Sequence, residues 1–310
     1  MAGGRRLQAP FGTAGFAAAV WIICAQVVSA QAPHPTDVSG LAWIAADSFL
    51  VVHDAKVPEE LDWPRLSIVR LPDSAGGPIW HALEPAWPPN ADPSHDLESI
   101  ARIPGSNTFI LLESGDDGTA YRRMFIGELE NATLRIRPVD SWPGTQFNVE
   151  AAEVIRVGAS FYFLFAERAH GERGTWLMWT PLTPSESKIG RWDEIGRIFL
   201  PTIDPSGPDA RPVSALAVDS SGRIYIASTQ DSEVDSGPFR SVVWRIGGIH
   251  RTDGDQLRVA LSDPPERLAS IDGFKVESLA IRELEPGRVE LFIGTDDEAY
   301  GGTIRPLSLH

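Results

Sequence analysis

FKVESLAI, Phe274–Ile281, places one glutamate, Glu277, inside an otherwise apolar run. A carboxylate in such a run is costly unless it has a partner. Four other segments share its form: VSGLAWI from Val38, LESIARI from Leu97, VEAAEVI from Val149 and VSALAVD from Val213. Each carries a hydrophobe, then Glu or Ser, then mostly small and apolar positions. A second apolar run follows each one: FLVVHDAK from Phe49, FILLESGD from Phe109, YFLFAERA from Tyr162, IYIASTQD from Ile224 and LFIGTDDE from Leu291. Third runs begin at Arg65, Tyr121, Thr175, Arg240 and Gly302, and fourth runs fit four units, such as PIWHALEP from Pro78 and QLRVALSD from Gln256.

The runs are short, rich in Val, Ile, Phe, Tyr and Trp, and bounded by Gly, Pro, Asn and Asp, which is the all-β pattern. Units of three or four antiparallel strands recurring along a chain describe a β-propeller. Five blades around a central channel are expected, the last without an evident fourth strand, with six blades as the alternative. Trp176, Trp179 and Trp244 fall on third strands and are expected to pack between blades.

The chain has 310 residues, 43% hydrophobic and 22% charged, with a formal net charge of -15. That charge excludes a nucleic-acid surface and suits a protein that holds cations. Arg5 and Arg6, the apolar run Phe16–Val28 and the small-residue site Val28-Ser29-Ala30 read as a signal peptide over residues 1–30. The run is shorter than the ~20 residues of a spanning helix. Cleavage after Ala30 leaves one propeller domain over residues 31–310, periplasmic or secreted, expected to be a monomer without a membrane span. The only cysteine, Cys24, lies in the leader, so the mature chain has no disulfide, thiol nucleophile or thiolate metal site.

In a propeller the first strand of each blade lines the channel. Its equivalent positions hold Ser39, Glu98, Glu150, Ser214 and Glu277, and the ends of the second strands hold Asp54, Ser114, Glu167, Thr229 and Asp296. Like charges this close cannot all ionise unless a cation lies among them. Glu98, Glu150 and Glu277, with Asp54 and Asp296, are therefore the expected metal ligands. Oxygen donors favour Ca2+, with Mg2+ second. A remaining carboxylate, Glu113 or Glu167, is the candidate general base. His53, His95 and His170 match no metal spacing and are read as exposed. Asp116, Asp117, Asp297 and Glu298 are read as solvated, and Lys56, Arg168, Arg173 and Lys275 as surface charges near the mouth. No Gly-Lys phosphate loop, dinucleotide fingerprint or Gly-x-Ser-x-Gly elbow occurs. Asn131-Ala132-Thr133 matches a glycosylation acceptor.

The order of motifs resembles the secreted esterase-like phytase propellers. It runs from Ser39-Gly40-Leu41 through Asp96-Leu97-Glu98-Ser99-Ile100-Ala101, Glu113, Phe147-Asn148-Val149-Glu150-Ala151 and Glu167-Arg168 to Val276-Glu277-Ser278-Leu279-Ala280 and Thr295-Asp296-Asp297. The family usually has glycine after the glutamate, where this chain has Ser99, Ala151 and Ser278. The resemblance implies an exported propeller with an acidic central site and phosphoester or ester hydrolysis. A non-catalytic binding propeller with a structural cation, and a lactonase-like enzyme, are the alternatives.

Overall fold

The computed structural model describes residues 37–308, except 55–63, 73–76, 89–93, 95, 116–121, 142–147, 170, 172, 185–191, 253–255 and 286. The proposed leader, Lys56, His95, His170, Asp116 and Asp117 thus lie outside the described residues.

The chain forms five antiparallel sheets in sequence order. The first holds β1 (Gly40–Ala45), β2 (Ser48–Val52), β3 (Leu66–Arg70) and β4 (Ile79–Leu83). The second holds β5 (Leu97–Arg102), β6 (Thr108–Glu113), β7 (Arg123–Glu130) and β8 (Thr133–Ser141). The third holds β9 (Val149–Val157), β10 (Ser160–Glu167), β11 (Thr175–Leu182) and β12 (Gly196–Leu200). The fourth holds β13 (Ala210–Val218), β14 (Arg223–Gln230), β15 (Arg240–Arg251) and β16 (Leu257–Asp272). The fifth holds β17 (Val276–Glu285), β18 (Arg288–Thr295) and β19 (Ile304–Pro306), three strands among the described residues. This is the expected five-bladed propeller, and the short last blade is the one the sequence left without a fourth strand.

The inner strands β1, β5, β9, β13 and β17 pack side by side in a closed ring, with β17 returning to β1. The core divides the same way. Five apolar clusters fill the five gaps between blades. Phe49, Phe109 and Phe163 are fully buried in three of them, and each such side chain stabilises the fold by roughly 2–3 kcal/mol. Trp244 is buried between the third and fourth blades, while Trp176 and Trp179 pack against neighbouring clusters.

The seam between the first and last blades is closed by side chains. Phe49 meets Phe292 with ring centroids 4.7 Å apart, and Ser278 Oγ donates to the Val38 carbonyl at 3.1 Å. Arg282 pairs with Asp47 across the same seam. Gly40 is required at the next gap, because a Cβ there would lie 2.6 Å from Val52 Cγ2 and 2.9 Å from the Ile100 nitrogen.

Candidate functional site at the channel mouth

The three glutamates of the repeat share one backbone device. In β5, Leu97 pairs with Glu113 and Ser99 with Leu112, so Glu98 is an extra residue. In β9, Val149 pairs with Glu167 and Ala151 with Ala166, which leaves Glu150 over. In β17, Val276 pairs with Thr295 and Ser278 with Gly294, which leaves Glu277 over. Each glutamate sits at a β-bulge, where one extra residue breaks the alternation and re-aims a side chain. Flanking apolar side chains can then stay in the gaps between blades while the carboxylate turns inward. All three are buried, and the charges of Glu98 and Glu277 are felt at Glu150.

The repeat does not carry through the other two blades. In β13 the irregularity spans Arg211 to Ala215. Ser214 turns into the sheet, bonding Thr229 Oγ1 at 2.9 Å and the Val276 carbonyl at 2.7 Å. Arg211 reaches the carboxylates instead. In the first blade Ser39 donates to Asp37 at 3.1 Å, and the Asp37 carboxylate also accepts the Asp54 N–H at 2.5 Å.

The charges of Glu150 and Glu277 are balanced by the chain's own cations. Arg168 Nη1 lies 2.9 Å from Glu150. Arg211 lies 3.3 Å from Glu277 and 2.5 Å from Asp231. Lys275 Nζ lies 3.1 Å from Glu277, 2.9 Å from Asp296, 2.5 Å from Glu298 and 3.8 Å from Asp231. Arg168 and Lys275 are therefore not surface charges. Lys275 is only 4% exposed, and its burial is outweighed by Glu277, Asp296 and Glu298, which raise its pKa. Asp297 is also buried and accepts the Lys275 N–H at 2.8 Å.

The carboxyls around these cations differ in ionisation. Burial, reinforced by Glu277, pushes Asp296 up to about 7 against the pull of Lys275. Burial also raises Glu150 and Asp37. At Asp231 burial is overcome by Arg211 and Lys275, and the pKa is lowered.

A second group is made only of acids. Single oxygens of Asp54, Asp96 and Glu98 lie within 4.8 Å of one another, spacing that suits one hard cation. The other two candidates stand apart from it. Glu113 is fully buried and accepts Arg123 at 2.6 Å and Ser94 Oγ at 2.6 Å. Glu167 is partly exposed at the end of β10, with its pKa raised by burial. His53 is buried rather than exposed, its ring bonded to the Asp37 carbonyl at 2.7 Å and Ser67 Oγ at 2.9 Å. Asp37, Asp96, Asp231 and Arg211 escaped the sequence reading. Asp231 follows the end of a second strand, as Asp54 and Asp296 do, which is the signal that could have found it.

No protein-family model and no curated protein matches this sequence. Solved structures do match in fold. An exo-1,5-alpha-L-arabinanase from a bovine ruminal metagenomic library aligns at TM-score 0.52 and 10% identity, covering 88% of this chain and 94% of that one. The alpha-L-arabinanase of Cellvibrio cellulosa, solved with arabinohexaose, aligns at 0.50 and 13%, covering 89% and 93%. A Bacteroides ovatus protein of glycoside hydrolase family GH43 aligns at 0.50 and 12%, covering 89% and 53%. At these identities the likeness is one of fold. It corrects the resemblance to esterase-like phytases, since these neighbours are glycoside hydrolase propellers and not phytases. The physical reason is that the motif behind the resemblance is a glutamate on an inner-strand bulge, a geometric device rather than a family signature.

Proposed function

We propose that the chain is a glycoside hydrolase whose reacting carboxyls lie at the channel mouth. The observation that carries this is the group around Lys275, where Asp231, Glu277 and Asp296 all lie within 3.8 Å of one ammonium. Glycoside hydrolysis needs one carboxyl that keeps its proton and one that has lost it, near a common point. Asp296, with its pKa near 7, fits the acid, and Asp231, held ionised, fits the base. Asp296 gives its proton to the leaving glycosidic oxygen as the bond to the anomeric carbon breaks. Asp231 takes a proton from the water whose oxygen bonds to that carbon. The sugar class is supported by the arabinanases among the structural neighbours.

The test is a panel of nitrophenyl arabinofuranosides, xylosides and galactosides, with a lactone as control. Asp296→Asn should lower kcat by about 10²- to 10⁴-fold in a protein that still melts cooperatively. The wild-type rate should fall as pH rises through about 7. Folded protein that turns over no glycoside would sink the reading.

A second reading concerns Asp54, Asp96 and Glu98, whose close oxygens favour a Ca2+ site. A bound Ca2+ there would polarise a substrate oxygen or hold the first two blades together. Calcium at a hundredfold excess over its Kd should add about 2.7 kcal/mol of stability. An unchanged thermal midpoint on adding calcium or a chelator would rule the site out.

A further inference from the structure

The channel has a second end. At the glutamates it narrows to a space of about 10 Å³, the size of one water, lined by Glu150, Glu277, Ser39, Ser99 and Ser278 together with Leu41 and Leu279. Beyond this constriction the C-terminal halves of the inner strands and their hairpin turns enclose a funnel of about 1070 Å³. Aliphatic side chains form much of its wall, including Ile44, Ile155, Val218 and Ile281.

One carboxyl, Glu153 of β9, stands among them. Its Oε1 accepts the Val154 N–H at 2.9 Å, and Val218 of the next blade lines the same space. No cation pairs with it among the described residues. Glu150, three residues earlier on the same strand, has Arg168. The other charges of the funnel have partners along its rim. Arg102 donates to the carbonyls of Trp43, Ile44 and Ser106, and Arg156 to that of Gly158. Asp219 pairs with Arg223, and Glu283 accepts from Ser220. Arg251 lies against Gly158.

We propose that this funnel binds an organic cation, a primary ammonium on an apolar body, with the ammonium against Glu153. The Val154 N–H already orients the carboxylate and favours its ionised form. What it lacks is a counter-charge, and a desolvated ammonium supplies one where the pair is strongest. The aliphatic wall takes the apolar body. Burial holds the empty carboxyl's pKa at about 8, so binding near pH 7 should release a proton. The site is separate from the channel mouth, and the inference does not rest on glycoside hydrolysis.

The experiment is calorimetry on the full chain at pH 7 with hexylammonium, hexanol and hexanoate, in two buffers of unequal protonation heat. Hexylammonium should bind at least about tenfold more tightly than hexanol, a gap of about 1.4 kcal/mol, with release of a proton. Glu153→Gln should reduce its affinity to that of hexanol. Equal binding of the ammonium and the alcohol, tighter binding of hexanoate, or an unchanged Glu153→Gln affinity would overturn the proposal. Should Glu153→Gln fail to fold, a crystal of the wild type soaked in 6-bromohexylammonium decides. Anomalous bromine density in the funnel supports the site, and density only elsewhere, or none, overturns it.

Discussion

The two ends of one channel give an inner-strand carboxyl different partners. At the mouth, Glu150 and Glu277 are neutralised by guanidinium and ammonium groups of the chain itself. In the funnel, Glu153 accepts the Val154 N–H and pairs with no cation among the described residues, and burial raises its pKa to about 8, so that a proton takes the place of the cation. The difference teaches that burial alone does not decide whether a carboxyl is charged. The groups beside it decide it, by offering a cation or only a backbone donor.

The sharpest way to break this comparison is Lys275→Met. It leaves the buried Glu277 and Asp231 and the half-buried Asp296 with one fewer cation. Removing one partner of a buried pair costs about 3–5 kcal/mol, and urea unfolding at pH 7 should register that loss. A change below about 1 kcal/mol would mean that the mouth is wetter than its burial suggests.

A second effect lies in pH. The folded pKa of Asp296 is raised to about 7 from an ordinary 3.8. The folded state thus binds this proton more tightly than the unfolded chain does. Its contribution is present below the unfolded value and is lost as pH rises from about 4 to about 7. Asp296→Asn should flatten the fall in stability across that window, and thermal melts of both proteins at pH 4.5 and 7.5 test it. An equal slope in the two proteins would remove Asp296 from the titrating set.

The smallest effect sharpens the comparison between blades. Ser214 belongs by sequence to the glutamate position but bonds Thr229 and the Val276 carbonyl, tying the fourth blade to the fifth. Ser214→Ala should cost about 1 kcal/mol and leave turnover unaltered. A loss of turnover without a loss of stability would return Ser214 to the channel.

The propeller was legible because its signal is periodic. Apolar runs, turn residues and a recurring glutamate mark five units, the last with three strands among the described residues. The candidate site was half legible. Glu98, Glu150 and Glu277 stand out because each interrupts an apolar strand. Asp37, Asp231 and Arg211 do not, since an acid or arginine beside a turn looks like any solvated residue.

By itself the sequence determined the all-β class, the blade count and the inward glutamates, because strand period and turn chemistry are local properties. Only the tertiary structure decided what balances those glutamates. Arg168, Arg211 and Lys275 come from different blades, and bulges aim the carboxylates at the channel. Three converging acids call for positive charge. The folded ring brings three basic side chains to the same place, and Coulomb attraction across the blades answers the charge of Glu150 and Glu277.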